Sequence, residues 1–398
     1  MANQILNANK KKIKMSQSAY ERGLWNLFEG RFYLLKGEPK KAIRLLQECR
    51  DFFVQDGRDF ELHWSTIWLI AAYEQAEQTD RAHVEIRDFF AVEKNPDYMT
   101  LVALRQAAPW LEGLQKDSQH GRQLSSLLEK CQRLTLRLPS IRRTLRRHAQ
   151  SIQMPSASLE IRALGRAEVT VNGRTLAMSD WRTKSVRDLF FYFLFKQEAL
   201  TKEQIGEALW PETSDPQILK ARFKDEIYRL RRAAGRNVVV FDDIYYSFNR
   251  TLDYEYDVEA FESYLARARK TREISKRIEW YQKAVDLVHG PYLIEVDTPW
   301  SAEERERLGQ IYVSALEQLA HLYLDTNQTE QCITVCQLAL GQDRYNELIY
   351  RIGMRAYFAS GDRVSIARQY QACKLALEEG LGLPPSQETD DLYRELTA

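Results

Sequence analysis

The sequence predicts a mainly α protein in which helical repeats flank a small α+β domain. Three observations support this fold class. Apolar residues recur at helical spacing on both flanks, the spacing changes to alternation near Leu159, and two β-rich segments follow three helical ones near Val240. We predict three domains, over residues 1–150, 158–255 and 256–398.

The composition is that of a folded protein with almost no net charge. The 398 residues are 44% apolar and 28% charged, which is enough for several buried cores. Lys and Arg number 57 and Asp and Glu 56, so binding to nucleic acid would need a local basic patch. Five cysteines without disulfide-like spacing, and no run of about 18 apolar residues, predict a cytoplasmic protein without a membrane partner.

The first 150 residues are predicted to be entirely helical. Their tryptophans are interpreted as core residues, with a ligand groove as the alternative; they are Trp25, Trp64, Trp68 and Trp110. We expect a protein or small-molecule effector to bind this region. The polar stretch around Pro155 marks the boundary to the next domain.

The end of this region is basic, and its role is left open between three alternatives. The residues concerned are Arg142, Arg143, Arg146 and Arg147. They form a solvated helix face, extend a nucleic-acid footprint or bind an acidic partner.

The middle domain is predicted to begin with small strands. Residues 168–171 alternate in polarity, and Asn172-Gly173 suits a two-residue hairpin turn with positive φ. A second hairpin is expected further on, where two β-rich runs, 238–241 and 244–248, are joined at Asp242-Asp243.

Three amphipathic helices are predicted between these hairpins. Thr201 and Gln204 form a capping box at the start of the second helix, which ends at Trp210-Pro211. Their apolar faces are Val186, Leu189, Phe190, Phe193 and Leu194; Ile205, Ala208 and Leu209; and Leu219, Phe223, Ile227 and Leu230. Three helices followed by a β-hairpin are the elements of a winged helix-turn-helix domain.

The third helix carries the local basic patch that the total charge conceals. Between Pro216 and Arg236 there are seven basic and two acidic residues. A helix about 10–12 Å across fits the major groove of double-stranded DNA, with flanking cations on phosphates and central side chains on bases. The candidate DNA-binding residues are Lys220, Arg222, Lys224, Asp225, Tyr228, Arg229, Arg232 and Arg236.

The position of each candidate around the helix suggests its role. Lys220, Arg222 and Arg229 lie on the flanks, so we expect them to contact phosphates. Lys224, Tyr228 and Arg232 lie opposite the apolar stripe and are expected to reach bases or phosphates deep in the groove.

After residue 256 the chain is again predicted to be helical, with a repeated spacing that also occurs near the N-terminus. A turn residue is followed by small or apolar residues after five, four and three further positions, as nested helix pairs require. The occurrences are Gly37, Ala42, Leu46 and Cys49; Asn327, Cys332, Cys336 and Ala339; and, 34 residues on, Gly361, Ile366, Tyr370 and Cys373. Both flanks are therefore predicted to be TPR-like repeats.

Two groups of motifs carry a resemblance to a known family. The segment Tyr228-Arg229-Leu230-Arg231-Arg232 with the following hairpin resembles an OmpR-type winged helix. The C-terminal motifs resemble the bacterial transcriptional activator domain; they are Gly290-Pro291-Tyr292-Leu293, Trp300, Asp343-Arg344-Tyr345-Asn346-Glu347, Met354-Arg355, Gln369-Tyr370-Gln371 and Pro385-Ser386-Gln387-Glu388-Thr389. Over residues 158–398 the chain resembles the Streptomyces antibiotic regulatory protein family in the broad sense.

This resemblance implies an activator that binds direct-repeat DNA and contacts RNA polymerase, with the TPR-like domain helping to form a homodimer. The sequence departs from the family at Asp225-Glu226 and at Asp242-Asp243, where acidic residues predict weak binding by the protein alone. Asp225 could instead accept a hydrogen bond from cytosine. The alternative is a TPR-type interaction scaffold whose winged helix no longer binds DNA.

Catalysis, metals and cofactors find no support in the sequence. The chain has no nucleotide-binding G-x-x-x-x-G-K-[ST] loop, and its six histidines are scattered. Cys332 and Cys336 lack a second pair of ligands and are interpreted as repeat-core residues. We therefore expect no enzyme, no metal and no cofactor.

Overall fold

The structure is a computed structural model that describes residues 18–92, 98–116, 120–148 and 155–398. It is mainly helical with a small β-containing part, as the sequence predicts. The chain divides into two compact units between Leu138 and Pro139.

The first unit is built of helices throughout its described residues. Trp68 is fully buried and packs edge-on against Trp110 with 6.1 Å between ring centroids, and Trp25 and Trp64 are half-buried. The elements are α1 (Ala19–Leu35), α2 (Pro39–Asp56), α3 (Asp59–Gln75), α4 (Thr79–Val92), α5 (Tyr98–Leu111), a 3-10 turn (Glu112–Lys116) and α6 (Gly121–His148), within which the division falls.

The repeated spacing corresponds to helix pairs joined by the same kind of turn. Gly37, Asn327 and Gly361 all have positive φ, at 75°, 57° and 77°. The small and apolar residues after them are buried, except for the half-buried Tyr370. A fourth occurrence, which the sequence analysis missed, starts at Glu77 with φ 59° and continues with the buried Ala82, Ile86 and Phe89. The predicted TPR-like repeats are confirmed.

The second unit holds both sheets and the remaining helices. The strands are β1 (Leu159–Arg162), β2 (Glu168–Val171), β3 (Arg174–Thr175), β4 (Leu200–Thr201), β5 (Val239–Asp242), β6 (Tyr245–Phe248) and β7 (Tyr254–Tyr256). The helices are α7 (Met178–Trp181), α8 (Lys184–Phe195), α9 (Lys202–Leu209), α10 (Pro216–Ala234), α11 (Asp257–Lys270), α12 (Ile274–Val285), α13 (Pro299–Asp325), α14 (Thr329–Gln342), α15 (Glu347–Ala359), α16 (Arg363–Leu381) and α17 (Gln387–Thr397).

Two small sheets frame the three predicted helices α8, α9 and α10. The first has the order β3-β2-β1-β7, in which β1 pairs antiparallel with β2 and parallel with β7. The second has the order β4-β6-β5 and contains the wing hairpin β5–β6. The turn of the first hairpin is Asn172-Gly173 as predicted, with φ 48° and 80°.

The turn of the wing lies one residue later than predicted. Asp242 pairs with Tyr245 and is the last residue of β5. The two turn residues are therefore Asp243, with φ 56°, and Ile244. Only Asp243 lies in the turn, because the pairing of β5 with β6 extends through Asp242.

The winged helix and the helices after it share one hydrophobic core. Trp300 at the start of α13 packs on Tyr192 and Phe195 of α8, with ring centroids 5.4 and 5.3 Å away. The backbone amides of Leu293 and Ile294 donate to the carbonyls of Ala163 and Gly165 at 2.8 and 3.1 Å. The core runs without interruption from β1 to α15.

The C-terminal end of α6, residues 139–148, belongs to this second unit. Arg146 and Arg147 form ion pairs with Asp253 (2.6 Å) and Glu255. Arg143 donates to the carbonyl of Leu252 at 2.8 Å and lies 4.1 Å over the ring of Tyr254. The three alternatives drawn from the sequence were therefore wrong for these arginines, because their side chains bind carboxylates and a backbone carbonyl of the same unit.

Asp257 is expected to make the stability of the second unit depend on pH. Its side chain is 8% exposed, and burial raises the pKa of its carboxyl from 3.8 to about 6. The folded state therefore binds the proton more tightly than the unfolded state, and stability falls as the pH rises from about 4 to about 6.

The substitution Asp257→Asn should remove this dependence, since an amide oxygen still accepts from the amides of Ala163 and Leu164. At pH 8 we expect the variant to be more stable by about 3 kcal/mol, from about two pKa units. Urea unfolding at pH 4 and pH 8 measures this, and the two proteins should converge at pH 4. A variant that is less stable at pH 8 would contradict the prediction.

Candidate nucleic-acid interface

Helix α10 is the predicted reading helix, and local chemistry fixes both of its ends. Asp215 caps the N-terminus by accepting from the amides of Gln217 (2.7 Å) and Ile218 (3.2 Å), and Pro216 occupies the first turn. Gly235 ends the helix with φ 118°. Leu219, Phe223, Ile227 and Leu230 are buried as predicted, so the opposite face points outward.

Helix α9 supports α10 at very close range. A Cβ atom on Gly206 would lie 2.5 Å from a methyl carbon of Leu219. Glycine permits this approach without a clash, and any side chain here would require the Leu219 side chain to shift. The predicted capping box at Thr201 and Gln204 is present, with hydrogen bonds of 3.3 and 2.9 Å.

A groove of about 1070 Å³ runs between α10 and the wing, and we call it the basic groove. Six of its lining residues are basic and, among the described residues that line it, none is acidic. Its floor is formed by Phe223, Ile227, Phe241 and Tyr246. The basic residues are Lys202, Lys220, Lys224, Arg231, Arg232 and Arg236.

A second hollow, of about 490 Å³, lies on the other side of α10, against the start of α8. It is lined by Arg182, Thr183, Asp225, Arg229 and others. Tyr228 and Arg232 line both the hollow and the basic groove, so they lie on the crest of the helix between them. Tyr228 is 65% exposed, which is unusual for an aromatic side chain in a folded domain and leaves it free to contact a partner.

The structure brings seven of the eight candidate residues to this surface. Lys220, Lys224 and Arg236 line the basic groove, and Asp225 and Arg229 line the hollow. Arg222 lies in neither: it donates to Glu212 at 2.6 Å and Thr213 at 2.9 Å, and lies over the ring of Trp210. Its contacts hold the α9–α10 loop in place.

Two basic residues of the groove were missed by the sequence analysis. Arg231 donates to the carbonyl of Val239 at 3.1 Å and so connects α10 to the wing. Lys202 is the first residue of α9 and reaches the groove from a different element. The sequence around Lys202 gives no indication that this residue lies beside α10. Arg231, in contrast, is one of the seven basic residues counted between Pro216 and Arg236, although it was not named as a candidate.

The acidic pair of α10 divides between the two faces of the helix. Glu226 is 6% exposed, and burial raises the pKa of its carboxyl. Asp225 is exposed and lines the hollow. The interpretation of both as acidic residues of the reading surface was therefore wrong for Glu226. Asp225 is the acidic residue that α10 presents there, and Asp180 of α7 also lines the hollow.

We predict that Asp225→Asn raises the affinity for DNA of random sequence about three- to tenfold at low salt, because it removes one charge that repels phosphate. Fluorescence anisotropy with a random duplex measures the effect. Glu226→Gln is the matched control and should leave the affinity unchanged, since Glu226 is buried. A fall in affinity of the Asp225 variant for random DNA would contradict the prediction.

Other kinds of site are not apparent in the part of the chain that the structure describes. No group of three potential metal ligands occurs there. Cys332 and Cys336 are buried in the core, as interpreted from the sequence. Among the described helices, none combines the length and apolarity that a membrane crossing needs.

Comparison with known proteins assigns the C-terminal helices. Residues 256–397 match the family model of the bacterial transcriptional activator domain. A comparison with proteins of curated function gives no match.

Two of the solved structures that align with the chain are described by their likeness to it. EmbR of Mycobacterium tuberculosis, in complex with a low affinity phosphopeptide, aligns with a TM-score of 0.52 at 17% identity, over 61% of this chain and 65% of EmbR. It shows a shared fold. The TPR2AB-domain:pHSP90 complex of yeast Sti1 covers 94% of this chain and 98% of that chain at 10% identity, but its TM-score of 0.26 carries no weight.

The C-terminal motifs, the matched domain and the shared fold agree with the resemblance drawn from the sequence. Residues 256–397 match the bacterial transcriptional activator domain, and these findings support the resemblance of the chain to a regulator of the Streptomyces antibiotic regulatory protein type.

Proposed function

We propose that the chain is a sequence-specific DNA-binding activator that acts in the cytoplasm. The observation that carries the proposal is the basic groove, which gathers six cations from α10, the residue after its end and the start of α9 in a chain of net charge +1. Such a concentration of positive charge suits the phosphate backbone of double-stranded DNA. Tyr228 and Arg232, on the crest, are the side chains best placed for base edges.

The helix and the wing contribute differently to this surface. Lys220 and Arg236 line the groove and are assigned to phosphates, and Lys224 lines the groove four residues before Tyr228. The wing presents Phe241 and Ile244, both about half exposed, beside Asp243. Its tip is apolar and acidic, so the groove rather than the tip would supply the attraction to phosphate.

Selection from a pool of DNA fragments with the intact protein tests the proposal. We expect one enriched motif, and binding that weakens steeply with salt; neutralisation of six phosphates gives a log–log slope of about −5. In the control protein, Arg269 and Lys270 are changed to Ala. Both lie at the exposed end of α11, so this variant loses two cations outside the basic groove. No enrichment above random fragments at low salt would overturn the proposal.

A second candidate function is a protein-interaction scaffold whose winged helix does not bind DNA. The acidic and apolar tip of the wing favours it, because phosphate repels Asp243 and a protein partner would bury Phe241 and Ile244. A scaffold would show no salt-dependent affinity for duplex DNA, which separates the two functions.

Partners other than DNA are proposed for the activator domain and for the first unit. We propose that the activator domain contacts RNA polymerase and supports a homodimer or binding at tandem sites. The three-domain arrangement over residues 1–150, 158–255 and 256–398 remains our prediction. In the first unit, a hollow of about 460 Å³ bounded by Arg50, His63, Glu85 and Phe89 is the place where an effector of the helical repeats would bind.

A further inference from the structure

The basic groove has a second chemical feature besides its charge, which is an aromatic floor. The ring centroid of Tyr246 lies 4.7 Å from that of Phe223 and 4.6 Å from that of Phe241. Phe241 is 51% exposed and Tyr246 is half-buried, and both line the groove. Tyr246 is therefore the middle ring of three, and two of these rings can contact a molecule that enters the groove.

The pairing of the strands holds this floor in position. Phe241 of β5 and Tyr246 of β6 are directly opposite each other, and Tyr246 also pairs with Leu200 of β4 on its other side. Phe223 is 4% exposed and is fixed in the core of the winged helix. The rings are therefore in place before a ligand arrives, which lowers the entropy that binding costs.

Most of the cations around this floor have no partner within the protein. Four of the six form no hydrogen bond or ion pair with another residue that the structure describes, and all four are exposed. They are Lys220, Lys224, Arg232 and Arg236. Of the other two, Arg231 donates to the carbonyl of Val239, and Lys202 lies 3.2 Å from Glu203. The positive charge of the groove is therefore available to an anion from outside.

Double-stranded DNA would use only one of these two features. Its phosphates suit the cations, but the faces of its bases are already stacked on one another and are not offered to protein rings. The groove, of about 1070 Å³, is close in size to the sites of small organic ligands, which measure roughly 300–1,000 Å³ and are mostly apolar and aromatic. A small aromatic anion would use both the rings and the charge.

We propose that the basic groove also binds a small planar aromatic molecule with a carboxylate or phosphate group. The aromatic part stacks on Phe241 and Tyr246, and the unpaired cations of the groove bind the anionic group. The same cations are assigned to DNA, so the ligand and DNA exclude each other; this last step rests on the proposed function. The molecule would thus inhibit the regulator by occupying its DNA surface directly.

Isothermal titration calorimetry with the full chain at low salt tests the proposal. The probes are 2-naphthoate and 1-naphthyl phosphate, which also show whether a carboxylate or a phosphate is preferred. The comparison compounds are 2-naphthalenemethanol, which has the rings without the charge, and inorganic phosphate, which has the charge without the rings. We expect saturable binding of at least one naphthyl anion, and binding at least about tenfold weaker for both comparison compounds.

Variants of the wing locate the bound ligand. Phe241→Ala removes an exposed ring of the floor and should weaken binding of the naphthyl anion about tenfold. Phe241→Tyr keeps the ring and should bind within about twofold of the parent protein. Ile244→Ala is the matched control, because Ile244 is an apolar wing residue of similar exposure that does not line the groove. It should leave ligand binding unchanged, and urea unfolding shows that each variant is folded.

Fluorescence anisotropy with a random duplex tests the competition. A saturating naphthyl anion should weaken duplex binding about tenfold or more, whereas 2-naphthalenemethanol at the same concentration should not. Unchanged duplex affinity with the ligand bound would overturn the mutual exclusion.

Four calorimetric results would overturn the ligand site. They are no saturable binding of either naphthyl anion, equal binding of the neutral alcohol, equal binding of inorganic phosphate, and unchanged binding in Phe241→Ala. A protein that binds the naphthyl anion but no duplex would contradict the proposed function and leave the ligand site supported, so the two failures are distinguishable.

Discussion

The triple variant Lys224→Ala, Tyr228→Ala and Arg232→Ala is expected to lose at least about a hundredfold in affinity for the selected DNA site. Each good base contact contributes about 1–3 kcal/mol, and the three residues lie together on the groove side and crest of α10. Fluorescence anisotropy with the selected duplex and with a scrambled duplex measures the loss. The preference for the selected duplex should disappear.

A phosphate-type variant provides the contrast. Lys220→Ala with Arg236→Ala should weaken binding to both duplexes by similar factors and reduce the magnitude of the salt slope by about two, one for each contact. All five residues are exposed, so the unfolding curves should not change. If the triple variant bound the selected duplex as tightly as the parent protein, α10 would not be the reading helix.

The substitution Trp300→Ala is expected to destabilise the second unit by about 3–5 kcal/mol, the usual cost of truncating a buried aromatic side chain. Trp300 is 7% exposed, and its ring packs on Tyr192 and Phe195 of the winged helix. Because Trp300 belongs to the activator domain and its ring contacts the winged helix, the substitution should destabilise both domains. Differential scanning calorimetry should show one transition for the winged helix and activator domain, shifted to lower temperature.

The control for this prediction keeps the aromatic contact. Trp300→Phe retains a ring against Tyr192 and Phe195 and should cost a smaller part of the same free energy. Two separate transitions in the Trp300→Ala variant, with only one of them shifted, would show that the two domains unfold independently.

Much of the fold was predictable because it depends on local spacing. The helices α8, α9 and α10 follow from their apolar stripes, and the first hairpin follows from Asn172-Gly173. The parallel pairing of β1 with β7 was not predictable, because the paired residues are 95 positions apart and the two strands pair over three residues only. The ion pairs of Arg146 and Arg147 were not predictable for the same reason, since their partners near residue 255 are distant in the sequence.

The candidate site was predictable where a single helix determines it. The burial of Glu226 could have been found, because at 100° per residue it lies about 40° from Leu230 around the helix, beside the apolar stripe. Lys202 and the aromatic floor of the basic groove could not have been found, since each depends on elements that only the folded chain brings together.

The continuous core between the winged helix and the activator domain also has a consequence for promoter architecture. On the proposed function, the winged helix and the activator domain are packed on one core and cannot rotate separately around the DNA axis. Moving the operator by about five base pairs, half a helical turn, would carry the activating surface to the far side of the duplex, whereas a shift of about ten base pairs would restore it. Transcription from such spacing variants should therefore oscillate with the pitch of DNA.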